Sequence, residues 1–298
     1  MLAIIIPFYK LTFFEATLQS LANQTDKRFK VYIGDDASPK DCSLLLKQYE
    51  GQFDFIYHRF ETNLGGTSLT KQWERCIALS SNEEWLMILG DDDVLGENVV
   101  EEFYKDLPAI KAKNLNVIRF ASQVINDMGT IISKRYQNPK HEIVWEFLYK
   151  KFKGNTRSSL SEFIFSKCSY EKSGFVDYPL AWHSDDQAWI DFSNSKPIFS
   201  NNLATVYIRN SDLNISGRKD NQSQKNQATL LFYKKNLFQY SKSQQPLILL
   251  EYEKILRKEK MMHLWNWFSI LGMYLKCWNR YAIRKFLKRS VQKVLKNG

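Results

Sequence analysis

A chain of 298 residues that is 44% hydrophobic can bury a substantial core, which excludes general disorder. Its net charge of +10 is concentrated: residues 257 to 298 hold 11 Lys and Arg against one acid, Glu259, leaving 31 of each sign and a neutral body over positions 1 to 256. That balance argues against a body built to bind nucleic acid. The four cysteines, Cys42, Cys76, Cys168 and Cys277, lack C-x-x-C or zinc spacing and read as reduced thiols of a cytosolic protein.

The apolar start Leu2 to Ile6 meets Pro7 directly, is too short for a secretory core, and reads as a first strand. Leu11, Phe14, Leu18 and Leu21 fall on one helix face, and Phe29 to Ile33 is a second strand ending in Gly34-Asp35-Asp36-Ala37-Ser38-Pro39. Ser38 before Pro39 predicts an N-cap and a helix running to Tyr49, with Asp35 at its positive end. A strand over 53–57, an Asn63-Leu64-Gly65-Gly66-Thr67 loop, a helix over 68–79 and a strand over 85–89 follow. Short connections between alternating strands and helices predict an α/β fold with a mostly parallel, Rossmann-like sheet and helices on both faces.

A helix over 97–111 and a strand over 116–120 lead to a hairpin at 123–136, turning at Asn126-Asp127-Met128-Gly129. Regular alternation stops there. The pattern predicts a helix over 141–151, strands over 159–165 and 198–208, and a helix start at 185–192. Residues 219–228 read as a loop or a helix start, and the remainder as a helical, basic and aromatic extension. The organisation expected is a domain over 1–217, divided into 1–125 and 126–217, and an extension over 218–298.

Two acidic clusters carry the chemistry of the first half. Asp35-Asp36 and Asp91-Asp92-Asp93 end the second and fourth strands, and Pro7-Phe8-Tyr9 ends the first, so all three lie at one edge of a parallel sheet, where such folds bind ligands. Three adjacent carboxylates are favourable when a hard cation, Mg²⁺ or Mn²⁺, is held by one or two of them together with substrate phosphates; otherwise they form a solvated acidic turn. In the second half, Asp185 and Asp186 open a helix between Trp182 and Trp189, with Ser184 as its N-cap. Apolar walls there would raise a carboxyl's pKa toward that of a working general base.

These residues, Ile4-Ile5-Ile6-Pro7-Phe8-Tyr9, Ile33-Gly34-Asp35-Asp36-Ala37-Ser38, Asn63-Leu64-Gly65 and Leu89-Gly90-Asp91-Asp92-Asp93, in this order, resemble family 2 glycosyltransferases of the glycosyltransferase A fold. The resemblance is clearest to about residue 125, thins at Ser173-Gly174-Phe175 and Ser184-Asp185-Asp186, and fades beyond 217. It implies inverting transfer of a sugar from a nucleotide diphosphate sugar, foremost a UDP-sugar, to a hydroxyl of a glycan or lipid-linked acceptor, with Mg²⁺ or Mn²⁺ and a role in cell-surface polysaccharide synthesis. It implies that Pro7, Phe8 and Tyr9 line the nucleotide, Asp36 meets the base, Asp91 the ribose, Asp92 with Asp93 the metal, and Asp186, or Asp185 beside it, is the base. Two departures stand out. Gly90 occupies the first position of the family's Asp-x-Asp-Asp, and the usual Ala-Arg-Asn is missing after the Asn-x-Gly loop, where Lys71 is the nearest cation. Arg209, in Tyr207-Ile208-Arg209-Asn210, is either a diphosphate clamp or a structural arginine.

The tail mixes Trp265, Trp267, Phe268, Tyr274 and Trp278 with Lys and Arg, which suits an interfacial helix on an anionic membrane or a packed helical pair. A cytoplasmic protein, peripheral to the inner face of the cytoplasmic membrane, follows from the first reading. The rival classes are a nucleotidyltransferase, which would release pyrophosphate, and a nucleic-acid-binding module using the basic tail. Sugar, nucleobase, acceptor and oligomeric state are left open.

Overall fold

The computed structural model describes residues 1–211, 217 and 220–297 and divides into two compact units, Met1–Asp220 and Asn221–Gly298. The first unit is a mixed α/β domain. Its strands are β1 Leu2–Phe8, β2 Phe29–Asp35, β3 Asp54–Arg59, β4 Trp85–Ile88, β5 Val94–Leu95, β6 Val117–Ile125, β7 His141–Glu142, β8 Phe163–Ser166 and β9 Ile198–Arg209. Among the described residues they form a single sheet in the order β3-β2-β1-β4-β8-β6-β9-β5, with β7 paired to β9. β1, β2, β3, β4, β6 and β9 run in one direction and β5, β7 and β8 against it, so the sheet is mostly parallel.

Strand position explains strand composition. β1 is covered on both faces, and Leu2 to Ile6 are all fully buried, which is why it reads as an unbroken apolar run. Leu2, Ile4 and Ile6 join a core with Phe14, Leu18, Val100 and Phe103, from the helices α1 Phe14–Ala22 and, after the five-residue α2 Ser43–Lys47 and α3 Leu69–Ile77, α4 Val99–Ala112. α3 packs on β1 and β2, close enough that Gln72 donates to the Gly34 carbonyl at 3.2 Å. β3, at the sheet's edge, alternates between exposed and half-buried residues and carries Asp54, His58 and Arg59, the charged edge expected where pairing stops.

Several elements differ from the sequence reading. The helix expected from Ser38-Pro39 starts only at Ser43, because Ser38 is engaged elsewhere: its N–H donates to Asp35 Oδ1 at 2.7 Å and its hydroxyl to the Tyr9 carbonyl at 2.7 Å. The hairpin turn closes at Asn126 to Thr130 as expected, but its return leg makes only isolated bridges, Ser122 to Tyr136 and Ile125 to Ile131. The helix expected over 141–151 begins as β7, and α5 is Val144–Phe152. Residues 160–162, expected as strand, form a 3-10 turn before β8, capped reciprocally by Ser159 and Glu162. α6 Lys167–Ser173 and α7 Ser184–Ser193 complete the unit. The residue before α7 is His183, in a left-handed conformation at φ 72°, so Ser184 is a first-turn residue rather than the cap, and its hydroxyl accepts the Tyr178 N–H at 3.3 Å.

The second unit is helical: α8 Gln222–Asn236, α9 Gln245–Lys258, α10 Leu264–Cys277 and α11 Arg280–Asn297. Of the loop or helix start expected over 219–228, residue 219 lies outside the described residues, and the rest enters α8 at Gln222. Buried Glu253 on α9 ties the helices together, accepting from Arg257 Nε at 2.9 Å, Arg289 at 2.5 Å and the Tyr274 hydroxyl at 2.9 Å. Tyr274 stacks on buried Phe286, 4.9 Å between centroids.

Candidate active site

The ends of β1, β2 and β4 lie together at one sheet edge through parallel pairing, Phe8 beside Asp35 in register and Ile5 beside Ile88. Hydrogen bonds then tie the loops. Asp91 Oδ2 accepts the N–H groups of Tyr9 at 2.8 Å and Lys10 at 2.7 Å, fastening the acidic turn to the turn after β1. Asp36 grips the Asn63–Gly65 loop: Oδ1 accepts from Leu64 N–H at 2.7 Å and Oδ2 from Gly65 N–H at 2.9 Å, while Arg75 on α3 pairs with Oδ1. A Cβ on Gly65 would sit 2.6 Å from Asp36 Oδ2, so only glycine lets that loop approach the carboxylate. Arg75 also lies over the Phe60 ring at 3.9 Å. It was not visible as a site residue in the sequence, where Lys71 was the nearest cation after the loop, and it places a guanidinium directly against Asp36. Lys71, one turn earlier, is exposed.

Other residues take roles different from those expected. Asp35 is fully buried and holds Tyr57, Arg59 and Ser38 rather than a helix end. Phe8 faces the core against Phe14, 4.5 Å between centroids, whereas Tyr9 is 38% exposed, so of these two only Tyr9 can offer its side chain to a ligand. Pro7 stays within β1, beside Gly34 of β2. Arg209 is 4% exposed; it donates to the carbonyls of Asp92 at 3.0 Å, Asn126 at 2.6 Å and Asp127 at 3.1 Å and covers Phe13 at 4.4 Å. These bonds anchor the acidic turn and the hairpin, as the structural one of the two alternatives would.

Within the triplet the three carboxylates are distinct. Asp93 is buried, with Oδ1 accepting from the Arg209 N–H at 2.9 Å and Oδ2 from the Ser161 hydroxyl at 2.5 Å. A carboxylate so enclosed serves the fold, which counts against the cation-holding role expected of it. Burial first, and the charge of Asp92 second, push Asp91 up to about 6 and Asp93 up to about 7. Crowded anions of this kind suit a hard cation. Among the described residues no cluster of three or more His, Cys, Asp or Glu encloses one, so a cation here would need substrate oxygens to complete its shell. The departure at Gly90 also has a steric reason: a Cβ there would lie 3.0 Å from Asp92 Oδ1 and 3.1 Å from Asp93 Oδ2. Gly90→Asp, which restores the family pattern, is therefore expected to lower the melting temperature without tightening Mn²⁺ binding; calorimetry with and without Mn²⁺ checks both.

A buried chain of charges runs from the triplet into the second half. Ser161 bridges Gly90 N–H and Asp93, and its neighbour Glu162, fully buried, pairs with Arg119 at 3.3 Å and Arg157 at 3.6 Å. Arg157 is close enough for its charge to act on Asp93, as Glu162 acts on Lys151. Lys151 Nζ sits 2.7 Å from both oxygens of Asp186, and His183 Nδ1 lies 2.7 Å from Oδ2. Burial alone would raise Asp186, but Lys151 and His183 outweigh it and hold the carboxyl well below the usual range. The sequence expectation of a raised pKa holds instead for half-buried Asp185, pushed up by burial and by the charge of Asp186. Trp189, expected as a site wall, is a core residue stacked on Phe163 at 4.0 Å. Leu180, Ala181 and His183 enter α7 through positive φ angles of 59°, 53° and 72°. Asp177, also missed, accepts the hydroxyls of Ser68 at 2.8 Å and Thr70 at 2.6 Å and binds the start of α3 to this half.

A mostly parallel sheet that gathers acidic loops at one edge, with a second acidic pair on a following helix, is the arrangement of a glycosyltransferase A fold. The sequence model for glycosyl transferase family 2 matches residues 3–175, more than half the chain, and the protein belongs to that family. Solved structures agree on the fold. The S. aureus TarS fragment 1–349 in complex with UDP-GlcNAc superposes with a TM-score of 0.64 at 16% identity, covering 94% of this chain and 82% of that one. The same fragment with UDP gives 0.60 at 17% identity over 94% and 82%. GalNAc-T7 with UDP, GalNAc and Mn²⁺ gives 0.52 at 14% identity over 76% and 46%. No curated protein matches the chain in sequence.

Proposed function

We propose that this family 2 glycosyltransferase takes its sugar from a UDP-sugar and passes it, with inversion, to a hydroxyl of a glycan or lipid-linked acceptor in cell-surface polysaccharide synthesis. The observation that carries the reading is the pairing of two acidic sites linked by the Ser161–Glu162 turn: crowded carboxylates at the sheet edge, and the Asp185–Asp186 pair on α7. The neighbouring complexes with UDP-GlcNAc and UDP support a uridine donor. On the donor side, Pro7 and Tyr9 line the nucleotide, Asp36 and the loop it grips meet the base, and Asp91 the ribose. Arg157, a half-buried guanidinium beside the triplet, takes the diphosphate-facing role once considered for Arg209, with Lys71 at the rim.

On the acceptor side Asp185 is the general base. It is the member of the pair with raised proton affinity and partial exposure, whereas Asp186 is committed to Lys151 and His183 and positions α7. The acceptor oxygen, losing its proton to Asp185, forms a bond to the anomeric carbon from the face opposite the nucleotide while the bond to the diphosphate oxygen breaks; one displacement inverts the centre. Mg²⁺ or Mn²⁺, held by Asp92 with Asp91 beside it, would neutralise charge on the departing diphosphate. Peripheral contact with a cytoplasmic membrane surface through the basic extension completes the reading; no helix of the described residues is long and apolar enough to cross a membrane.

A thermal-shift panel of nucleoside diphosphates with and without Mn²⁺ tests the donor side. UDP with Mn²⁺ at 100 times its dissociation constant is expected to stabilise by about 2.7 kcal/mol, with purine nucleotides weaker. A flat response to every nucleotide, with and without Mn²⁺, would overturn the donor assignment, and pyrophosphate release in an activity assay would replace it with nucleotidyl transfer.

A further inference from the structure

α10 has two apolar faces, and only one is used inside its unit. Ile270, Tyr274 and Cys277 are buried, at the i, i+4, i+7 spacing of a single stripe. On the opposite side Leu264, Trp265, Phe268 and Leu275 are 70%, 82%, 56% and 49% exposed, and at 3.6 residues per turn these four fall within about 100° of arc. Trp278, just past the helix, is 82% exposed. Single exposed apolar residues are ordinary, but a contiguous aromatic stripe on a helix already anchored by its other face marks an interaction surface.

Its occupant is indicated by charge. Lys276 flanks the stripe, and Arg280, Arg284, Lys285 and Lys288 on the adjoining α11 are all exposed. The unit's three acids do not cancel them: Glu253 is buried against Arg257 and Arg289, Glu251 pairs with Lys254 at 3.1 Å, and Glu259 accepts from Ser223 at 2.7 Å and Asn226 at 2.6 Å. A protein partner for so basic and aromatic a strip would need an equally acidic and apolar face, whereas an anionic bilayer offers both at once: acyl chains for Trp, Phe and Leu, and phosphates for Lys and Arg.

We propose that the exposed stripe of α10, Leu264, Trp265, Phe268, Leu275 and Trp278, lies in the interface of an anionic phospholipid bilayer, with the basic residues of α11 on its headgroups. This assigns residues to the membrane contact proposed above. It does not rest on the chemistry of transfer, because UDP binding by the same variants reports on the catalytic domain separately. Wild-type protein that binds the vesicles but not UDP would count against the donor reading and leave this one standing.

Co-sedimentation of the full chain with vesicles of phosphatidylcholine, with and without 30% phosphatidylglycerol, decides it. The expected result is binding to the anionic vesicles that weakens as salt rises, at least about tenfold weaker partitioning for Trp265→Ser/Phe268→Ser, and salt-dependent weakening of similar size for Lys285→Glu/Lys288→Glu. Unchanged circular dichroism keeps the variants comparable, and milder Trp265→Leu should retain most binding. Wild-type protein that stays in the supernatant at low salt overturns the proposal, as does a serine double variant that sediments like wild type. So does a concentration-dependent dimer, broken by the same substitutions, in protein that does not bind vesicles; the stripe would then face a second copy of the chain.

Discussion

Asp185→Asn is expected to leave UDP affinity unchanged and to slow transfer about 10²- to 10⁴-fold, the usual worth of a positioned base. Asp186→Asn is expected to fail differently. It removes the negative partner of Lys151, whose side chain is only 28% exposed. Breaking a buried pair from one side costs about 3–5 kcal/mol, with the lower end expected here because Lys151 keeps some water. The pH dependence has a definite sign. Because Asp186 is depressed in the folded state, its stabilisation is fully present above the ordinary carboxylate pKa of about 4 and is lost as pH falls toward the lower folded value. Urea melts at pH 7 and pH 3.5, with turnover measured by nucleoside diphosphate release, separate the two residues. Should Asp186→Asn keep native stability and lose all turnover while Asp185→Asn remains active, the family's pattern holds and the base is Asp186.

The second large effect is at Asp92. Asp92→Ala should lower nucleotide affinity in Mn²⁺ by at least about tenfold, yet raise the melting temperature of the metal-free protein at pH 7.5. The stabilisation follows from the neighbours. Asp91 and Asp93 are raised by burial and by the charge of Asp92, so the folded state holds protons that the unfolded chain would release. Their contribution is greatest below the unfolded carboxylate pKa of about 4 and declines as pH rises through the folded values of about 6 and 7. Removing Asp92's charge relieves the repulsion, and Mn²⁺ relieves it in the parent, more at pH 7.5 than at 5.5 because it no longer competes with protons. Calorimetry at both pH values, with and without Mn²⁺, checks all three signs. A metal-free Asp92→Ala protein less stable than the parent at pH 7.5 would show that Asp92 serves the fold.

What the sequence disclosed and what it hid divide along physical lines. β1 and β4 were legible because strands covered on both faces must be apolar throughout, and β2 because only Lys30 interrupts its run before Gly34. The sheet-edge acids were legible because strand ends in a parallel sheet share one side. The partners of those acids were not. Arg75 reaches Asp36 across 39 positions, Ser161 reaches Asp93 across 68, and Asp177 reaches Thr70 across 107. Lys151 alone left a usable trace: Val144, Phe147 and Leu148 form the buried face of α5, and Lys151 extends that face by one turn. A charge on a core stripe calls for a buried counter-charge. Ser38-Pro39 misled for the opposite reason, since a strong local helix signal lost to Asp35 and Tyr9, which hold Ser38 in the loop.

The approach to α7 has a consequence for how this enzyme can evolve. Leu180, Ala181 and His183 hold positive φ angles that glycine would adopt freely and that cost a side-chain-bearing residue about 1–2 kcal/mol each. Relief of backbone strain alone would favour glycine in this turn. His183 resists the exchange because its ring is bonded to Asp186, and Ala181 is buried beside it in sequence. The turn is thus a place where backbone strain and side-chain bonding pull against each other, and a thermostable descendant would gain its degrees elsewhere in the fold.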